Sequence, residues 1–222
     1  MTASLEAPPR PGRGGLARAL LKGGAVALGI KVGAALLSFL MFLVLARVTS
    51  LEAFGRIGFG VSLAGALGVI GSFGQRPMVL RYAPAYIADG DARRLRGLLR
   101  YGYAAVLTGC AALGLGLIAV DLLWPGIERR GPLAMAGALT LALGLAEYQV
   151  HALRSIAGLV LSQAPRDLLW RLVVILAAAP FLMEGARRLT ATEGLALVAA
   201  ALFAVIVVQA ALHPATRPRE LL

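Results

Sequence analysis

Three polar residues stand close together in an otherwise apolar stretch: Glu147, His151 and Arg154. Spacings of four and three put all three on one face of a helix. Glu147 can then pair with His151 or Arg154 and line a polar path, or the trio can mark a helix end among lipid headgroups. Lys31 is charged inside the first long apolar run. A charge at the bilayer centre costs about 2.5–3.5 kcal/mol on insertion scales. Either Lys31 reaches back to the headgroups along its aliphatic stem, or it faces an aqueous cavity and meets an anionic substrate. Two histidines (His151 and His213) and one cysteine (Cys110) supply no cluster of four metal ligands and no intrachain disulfide. The chain has no G-x-S-x-G, H-E-x-x-H, phosphate-loop or Cys-x-x-Cys pattern. The expectation is therefore a non-enzymatic protein without a cofactor.

The elements that carry these residues follow from composition. The chain is 59% hydrophobic and only 15% charged, with a mean hydropathy of +0.80. Soluble domains are typically about 45–50% apolar and about 25% charged. The surplus is too large for one small core, and the bilayer is its natural solvent. The apolar blocks are long, rich in Ala and Leu, and lack period-two alternation, so helices are expected rather than a barrel. Six spans of roughly membrane-crossing length are expected: about Ala25–Val48, Ile57–Phe73, Tyr103–Leu123, Leu133–Leu153, Leu168–Met183 and Leu195–Leu212. The fifth is short, carries Arg171 near its start, and has an alternative beginning before a kink at Pro165. Residues 1–22 read as a disordered basic tail, 23–213 as an all-α six-helix membrane bundle, and 214–222 as a second tail. The first apolar run is too long for a signal peptide's core, so an uncleaved first span is expected.

The net charge of +11 would suggest nucleic acid in a soluble protein. Here the basic residues lie between apolar blocks, where they fix topology and touch anionic headgroups. Assigned loop by loop, fifteen Lys and Arg fall on one side and six on the other, and the bias alternates across the connections. Both termini are therefore expected in the cytoplasm, and no nucleic-acid partner is expected. In the second expected span, Gly65, Gly68, Gly71 and Gly74 recur every three residues. This stripe predicts a groove that a neighbouring helix approaches closely, or a face that slides.

The stretch from Gly33 to Arg100 resembles the start of bacterial polysaccharide flippases of the Wzx type, within the multidrug/oligosaccharidyl-lipid/polysaccharide flippase superfamily. The resemblance rests on the LAR ending of the first span at Arg47, the EAFG turn from Glu52 to Gly55, and the Gly-rich second span closing on GSFGQ at Gly71–Gln75. It continues through Arg81, Tyr82, Gly90 and Asp91 to Arg100, and the segment Leu153–Leu172 is similar to that family's link into its fifth span. Members usually carry twelve or more spans as two six-helix bundles around a cavity. This chain matches one bundle. The expectation is a truncated flippase, a separately encoded half with a partner, or a homodimerising half.

The resemblance implies alternating-access transport, in the bacterial inner membrane, of a polyprenyl-diphosphate-linked oligosaccharide for polysaccharide biosynthesis. Its partners would be membrane lipid and that lipid-linked sugar. Lys31, Arg47, Arg81 and Arg154 would line the headgroup path, with Glu147 as a partner or ion-coupling acid. Arg47 and Arg81 also match family positions. A cation-coupled exporter of small amphipathic compounds and a non-transporting scaffold of a glycan assembly complex are the alternatives.

Overall fold

The computed structural model describes residues 13–124, 131–183 and 187–212. Eight α-helices follow in order among them: α1 (Arg13–Val48), α2 (Leu51–Gly71), α3 (Gln75–Ala88), α4 (Ala92–Leu123), α5 (Pro132–Ala157), α6 (Leu159–Ala164), α7 (Trp170–Ala178) and α8 (Ala191–Leu212). A π-helical turn, Pro165–Leu169, joins α6 to α7, and a 3-10 turn, Ala179–Leu182, follows α7. Among the described residues there is no named strand, only an isolated parallel bridge between Thr49 and Leu189.

Among the described residues five helices are long and apolar enough to cross a membrane: Gly23–Val48 of α1, then α2, α4, Pro132–Ile156 of α5, and α8. The fifth expected span, 168–183, is not one helix. Gly158, at φ +83°, ends α5 and starts α6. Pro165 has no N–H to continue the α-helical ladder, and the chain widens there into the π turn. The π turn starts at Pro165, the residue at which a kink is expected from sequence. Two further boundaries differ from expectation. Helix α1 begins at Arg13, inside the segment read as an unstructured tail. The connection after Gly71 is largely helical: α3 occupies part of it, and α4 starts at Ala92 rather than near Tyr103. Residues 1–12 and the second tail, 214–222, lie outside the described residues.

Local chemistry sets the helix ends. The Ser50 hydroxyl accepts from the Ala53 N–H at 3.2 Å and caps α2. Asp91 accepts from the Arg94 N–H at 2.9 Å and caps α4. Thr190 and Glu193 form a reciprocal capping box at the start of α8, with bonds of 3.2 and 2.9 Å. The buried carboxylate of Asp121, at the end of α4, accepts from the N–H groups of Gly131 and Leu133 and so caps α5.

Helix α5 is the axis of the bundle and the most buried of the five long apolar helices. It packs on α4, α2 and α8. The α4–α5 approach depends on glycine. A Cβ on Gly114 would sit 2.6 Å from the Gly137 carbonyl oxygen, and one on Gly102 would overlap Tyr148. Between lipid-facing helices no hydrophobic driving force exists, so this close backbone packing supplies much of the association. On the other flank, α1 packs on α7 and the π turn and hardly touches α2, although only Thr49 and Ser50 separate the two helices. The two therefore diverge from a pinned turn, where the Leu189 N–H donates to the Val48 carbonyl at 2.8 Å.

Replacing Gly114 by Ala is expected to lower stability by about 1–3 kcal/mol through overpacking against backbone. Gly116→Ala, with open space around its Cβ, is expected to be neutral or slightly stabilising. Thermal unfolding of both variants in the same detergent checks this pair.

Candidate functional site

Six polar residues inside the bundle form a string along which the charges alternate. The Lys31 ammonium on α1 donates to Asp167 Oδ2 at 2.8 Å. The Arg166 guanidinium on the π turn donates to Asp167 Oδ1 at 2.9 Å and to Glu147 Oε2 on α5. Glu147 Oε1 lies 2.9 Å from Arg76 Nη2 at the start of α3. Arg76 Nε donates to His151 Nε2 at 3.1 Å. The His151 Nε2 is thus the acceptor of this contact, while its Nδ1 is buried without a hydrogen-bond partner among the described residues. Four elements thus meet through Lys31, Asp167, Arg166, Glu147, Arg76 and His151.

The π turn makes this possible. Pro165 leaves the Leu161 carbonyl without its ladder donor. Gln209 of α8 replaces it, donating from Nε2 to the carbonyls of Leu161 (3.0 Å) and Ser162 (2.9 Å). Gln149 of α5 in turn donates to the Ile206 carbonyl at 3.1 Å. Arg171 donates to the Asp167 carbonyl and stacks over the Trp170 ring at 4.6 Å. The irregular backbone is thereby satisfied from side chains, as it must be in an apolar medium.

The string lies toward one end of the bundle. At 1.5 Å per residue, Lys31 stands about 25 Å along α1 from Val48, and Glu147 about 22 Å along α5 from Pro132. Both are therefore inside apolar helices, Lys31 at the middle of α1 but nearer Gly23 than Val48 within its apolar portion, and Glu147 nearer the end of α5. Asp167 is buried (2% exposed), whereas the Lys31 side chain is 58% exposed on the open flank. A cavity of about 260 Å³ is lined by Gly65, Gly68, Arg76, Leu143, Glu147 and Arg166. A second, of about 370 Å³, lies between Ser72, Gly74, Arg76 and His151. Arg76 borders both.

Of the residues singled out from sequence, Lys31 and Glu147 are brought into this string, linked through Asp167 and Arg166. Lys31 is an ion-pair partner rather than a lone charge, a third possibility beside the two readings of it. Arg154 does not join: it is exposed in the last turn of α5, while His151, 3.6 Å from Glu147, does meet it. Arg47 is exposed in the last turn of α1, at the opposite end from the string. Arg81 is exposed on α3 beside its neighbour Tyr82. The glycine stripe divides. Gly68 faces α5 near Gly144 and Thr140, and Gly71 abuts Cys110 of α4, while Gly65 opens onto the cavity. Gly74, at φ +69°, is the left-handed turn before α3. A three-residue repeat falls short of 3.6 residues per turn by about 60° each step, so the four cannot share one contact. Asp167, Arg166 and Arg76 were not singled out as site residues. Their signal was the isolated acid beside Arg166, following a proline within an apolar stretch.

Asp167→Asn is expected to destabilise by about 3–5 kcal/mol, because Lys31 and Arg166 lose their shared buried carboxylate. Adding Lys31→Met to it is expected to recover part of the loss, with a coupling energy of about 0.5–3 kcal/mol. A double-mutant cycle on thermal unfolding in detergent reads this directly, and strict additivity would deny that the pair interacts.

Compared with protein-family models, with curated proteins and with solved structures, the chain gives no match, so the functional reading rests on this geometry and on the sequence.

Proposed function

We propose that this chain is one six-helix bundle of a transporter, not an enzyme, and that it moves a lipid-linked oligosaccharide bearing a diphosphate across a bacterial inner membrane. The observation that carries this is the charged string joining α1, the π turn, α5 and α3, with Arg76 and Arg166 lining a cavity beside the glycines of α2. Sugars and diphosphates cannot enter hydrocarbon unaided. A cleft that holds fixed cations while its flank stays open to lipid suits a polar headgroup on a hydrocarbon tail. Lys31, Arg76 and Arg166 outnumber Asp167 and Glu147 as formal charges, so these five residues carry one surplus positive charge. Arginine recognises phosphate by paired, charge-assisted hydrogen bonds.

In this reading α6, the π turn, α7 and the 3-10 turn together form a sixth, broken crossing from Leu159 to Leu182. Both termini then lie in the cytoplasm. The resemblance to Wzx-type flippases supports the same picture, and a second bundle, from a partner or another copy, would complete the cavity. A cation-coupled exporter of small compounds is the second reading. It is favoured by one observation: Asp167 joins Glu147 as an interior acid.

The test is reconstitution of the full chain, with binding of polyprenyl diphosphate and flipping of a fluorescent polyprenyl-diphosphate oligosaccharide as readouts. Arg76→Gln and Arg166→Gln are each expected to lower binding and rate about tenfold or more, the worth of a charge-assisted hydrogen bond. Arg154→Gln is expected to change neither. If the charge-removing variants behave as the wild type, or if a cationic dye moves and the lipid-linked sugar does not, the reading fails.

A further inference from the structure

The strongest charged surface outside the interior string is the elbow of α3 and the start of α4. Arg93, Arg96 and Arg100 sit at spacings of three and four, within about 60° of arc on one α4 face. All three are exposed, and none has an ion-pair partner among the described residues. Arg94, by contrast, is held by Asp91 at 3.2 Å.

Helix length places this ladder. At 1.5 Å per residue the 32 residues of α4 run about 48 Å, whereas a hydrocarbon core of about 30 Å needs only about 20 residues. The surplus lies at the arginine end, since the apolar run occupies the remainder of α4. Arg100 then stands near the hydrocarbon boundary, and Arg93 about 10 Å further out, within the depth of the headgroups.

Helix α3 supplies an independent sign of the same environment. It packs on α4 and α5 through the stripe Gln75, Val79 and Ala83. Its other faces expose Met78, Leu80, Tyr82 and Ile87 together with Arg81. Apolar and tyrosine side chains exposed beside arginines are the composition of a segment lying in the membrane interface.

We propose that this elbow is a docking surface for the anionic headgroups of one membrane leaflet, with Arg93, Arg96 and Arg100 as its phosphate-binding ladder. Each arginine close to an anionic surface strengthens binding about fivefold. The surface is separate from the cavity string and does not depend on what the cleft carries.

The experiment uses the purified full chain in a neutral detergent, titrated with phosphatidylglycerol or phosphatidylcholine. Retained lipid is counted by native mass spectrometry, and the melting midpoint is followed in parallel. Phosphatidylglycerol is expected to bind selectively and to raise the midpoint. The R93Q/R96Q/R100Q variant is expected to lose at least about tenfold in affinity for it. R47Q, which removes an exposed arginine at the other end of α1, is expected to keep wild-type affinity. Molar salt is expected to weaken wild-type binding, a readout that stands even if the triple variant does not fold. Equal binding of the two lipids, a triple variant within about twofold of wild type, or wild-type affinity indifferent to salt would each overturn the proposal. The same midpoint shift from inorganic phosphate at equal concentration would also overturn it, by showing a site for free anions instead of a leaflet.

Discussion

Asp167 is a buried carboxylate with a cation on each oxygen, Lys31 from α1 and Arg166 from its own turn. In a medium without water neither cation could stand alone at this depth, and neither could the acid. The constraint spreads outward. Arg166 is committed to two carboxylates at once, which brings Glu147 to the π turn, and Glu147 in turn draws Arg76 from α3. Taking such charges out of water costs about as much as pairing them returns. The string therefore contributes arrangement more than stability: it decides which face of α1 meets the π turn and where α3 begins.

A second accounting concerns the backbone. Gly158 and Pro165 break the ladder between α5 and α7, and every carbonyl thus released needs a donor. Gln209 meets that need for Leu161 and Ser162 from α8, and Gln149 ties α5 to the same helix at Ile206. The break is thus a supported irregularity, and it lets the adjacent residues Arg166 and Asp167 serve α5 and α1 respectively. The two ends of the bundle differ in kind. At one, the Val48–Leu189 hydrogen bond and buried apolar contacts around Ala178 pin α1 beside the approach to α8. At the other, α1 is held to the rest chiefly by α7, the π turn and the ion pair of Lys31.

The helical, membrane-suited character of the chain was legible because long Ala- and Leu-rich blocks have few other outcomes. The nearness of Glu147 and His151 was legible too, since four residues along a helix is a local geometry. What escaped was whatever depended on a distant partner. Asp167 follows a basic residue in a segment that reads as a loop, and only the meeting of α1 with the π turn makes it the centre of the string. Arg154 sits one turn beyond His151 on nearly the same face, yet Arg76 and Arg166 take both oxygens of Glu147 from other elements. Helix α3 was hidden because its polar and aromatic content obscures the buried stripe of Gln75, Val79 and Ala83. The glycines were visible as small residues, but which helix each one admits is a property of the neighbour: Gly114 needs Gly137, and Gly102 needs Tyr148.

The arginines finally separate by surroundings rather than by depth in the sequence pattern. Arg76 and Arg166 are partly buried and each touches a carboxylate; Arg93, Arg96 and Arg100 are exposed without one among the described residues. The first group has its geometry fixed by partners, so an anion entering the cleft must either offset the surplus positive charge there or displace Glu147 or Asp167 from a guanidinium. Displacing Glu147 would release the tie of α5 to the π turn or to α3, whereas Asp167 displaced from Arg166 would keep Lys31. An anion in the cleft and the packing of α5 against α3 and the π turn are therefore coupled through the same few oxygens, and any ligand that binds without competing for them would leave the bundle as it stands. The second group has no such tie, and its contribution scales with the charge of whatever surface it meets.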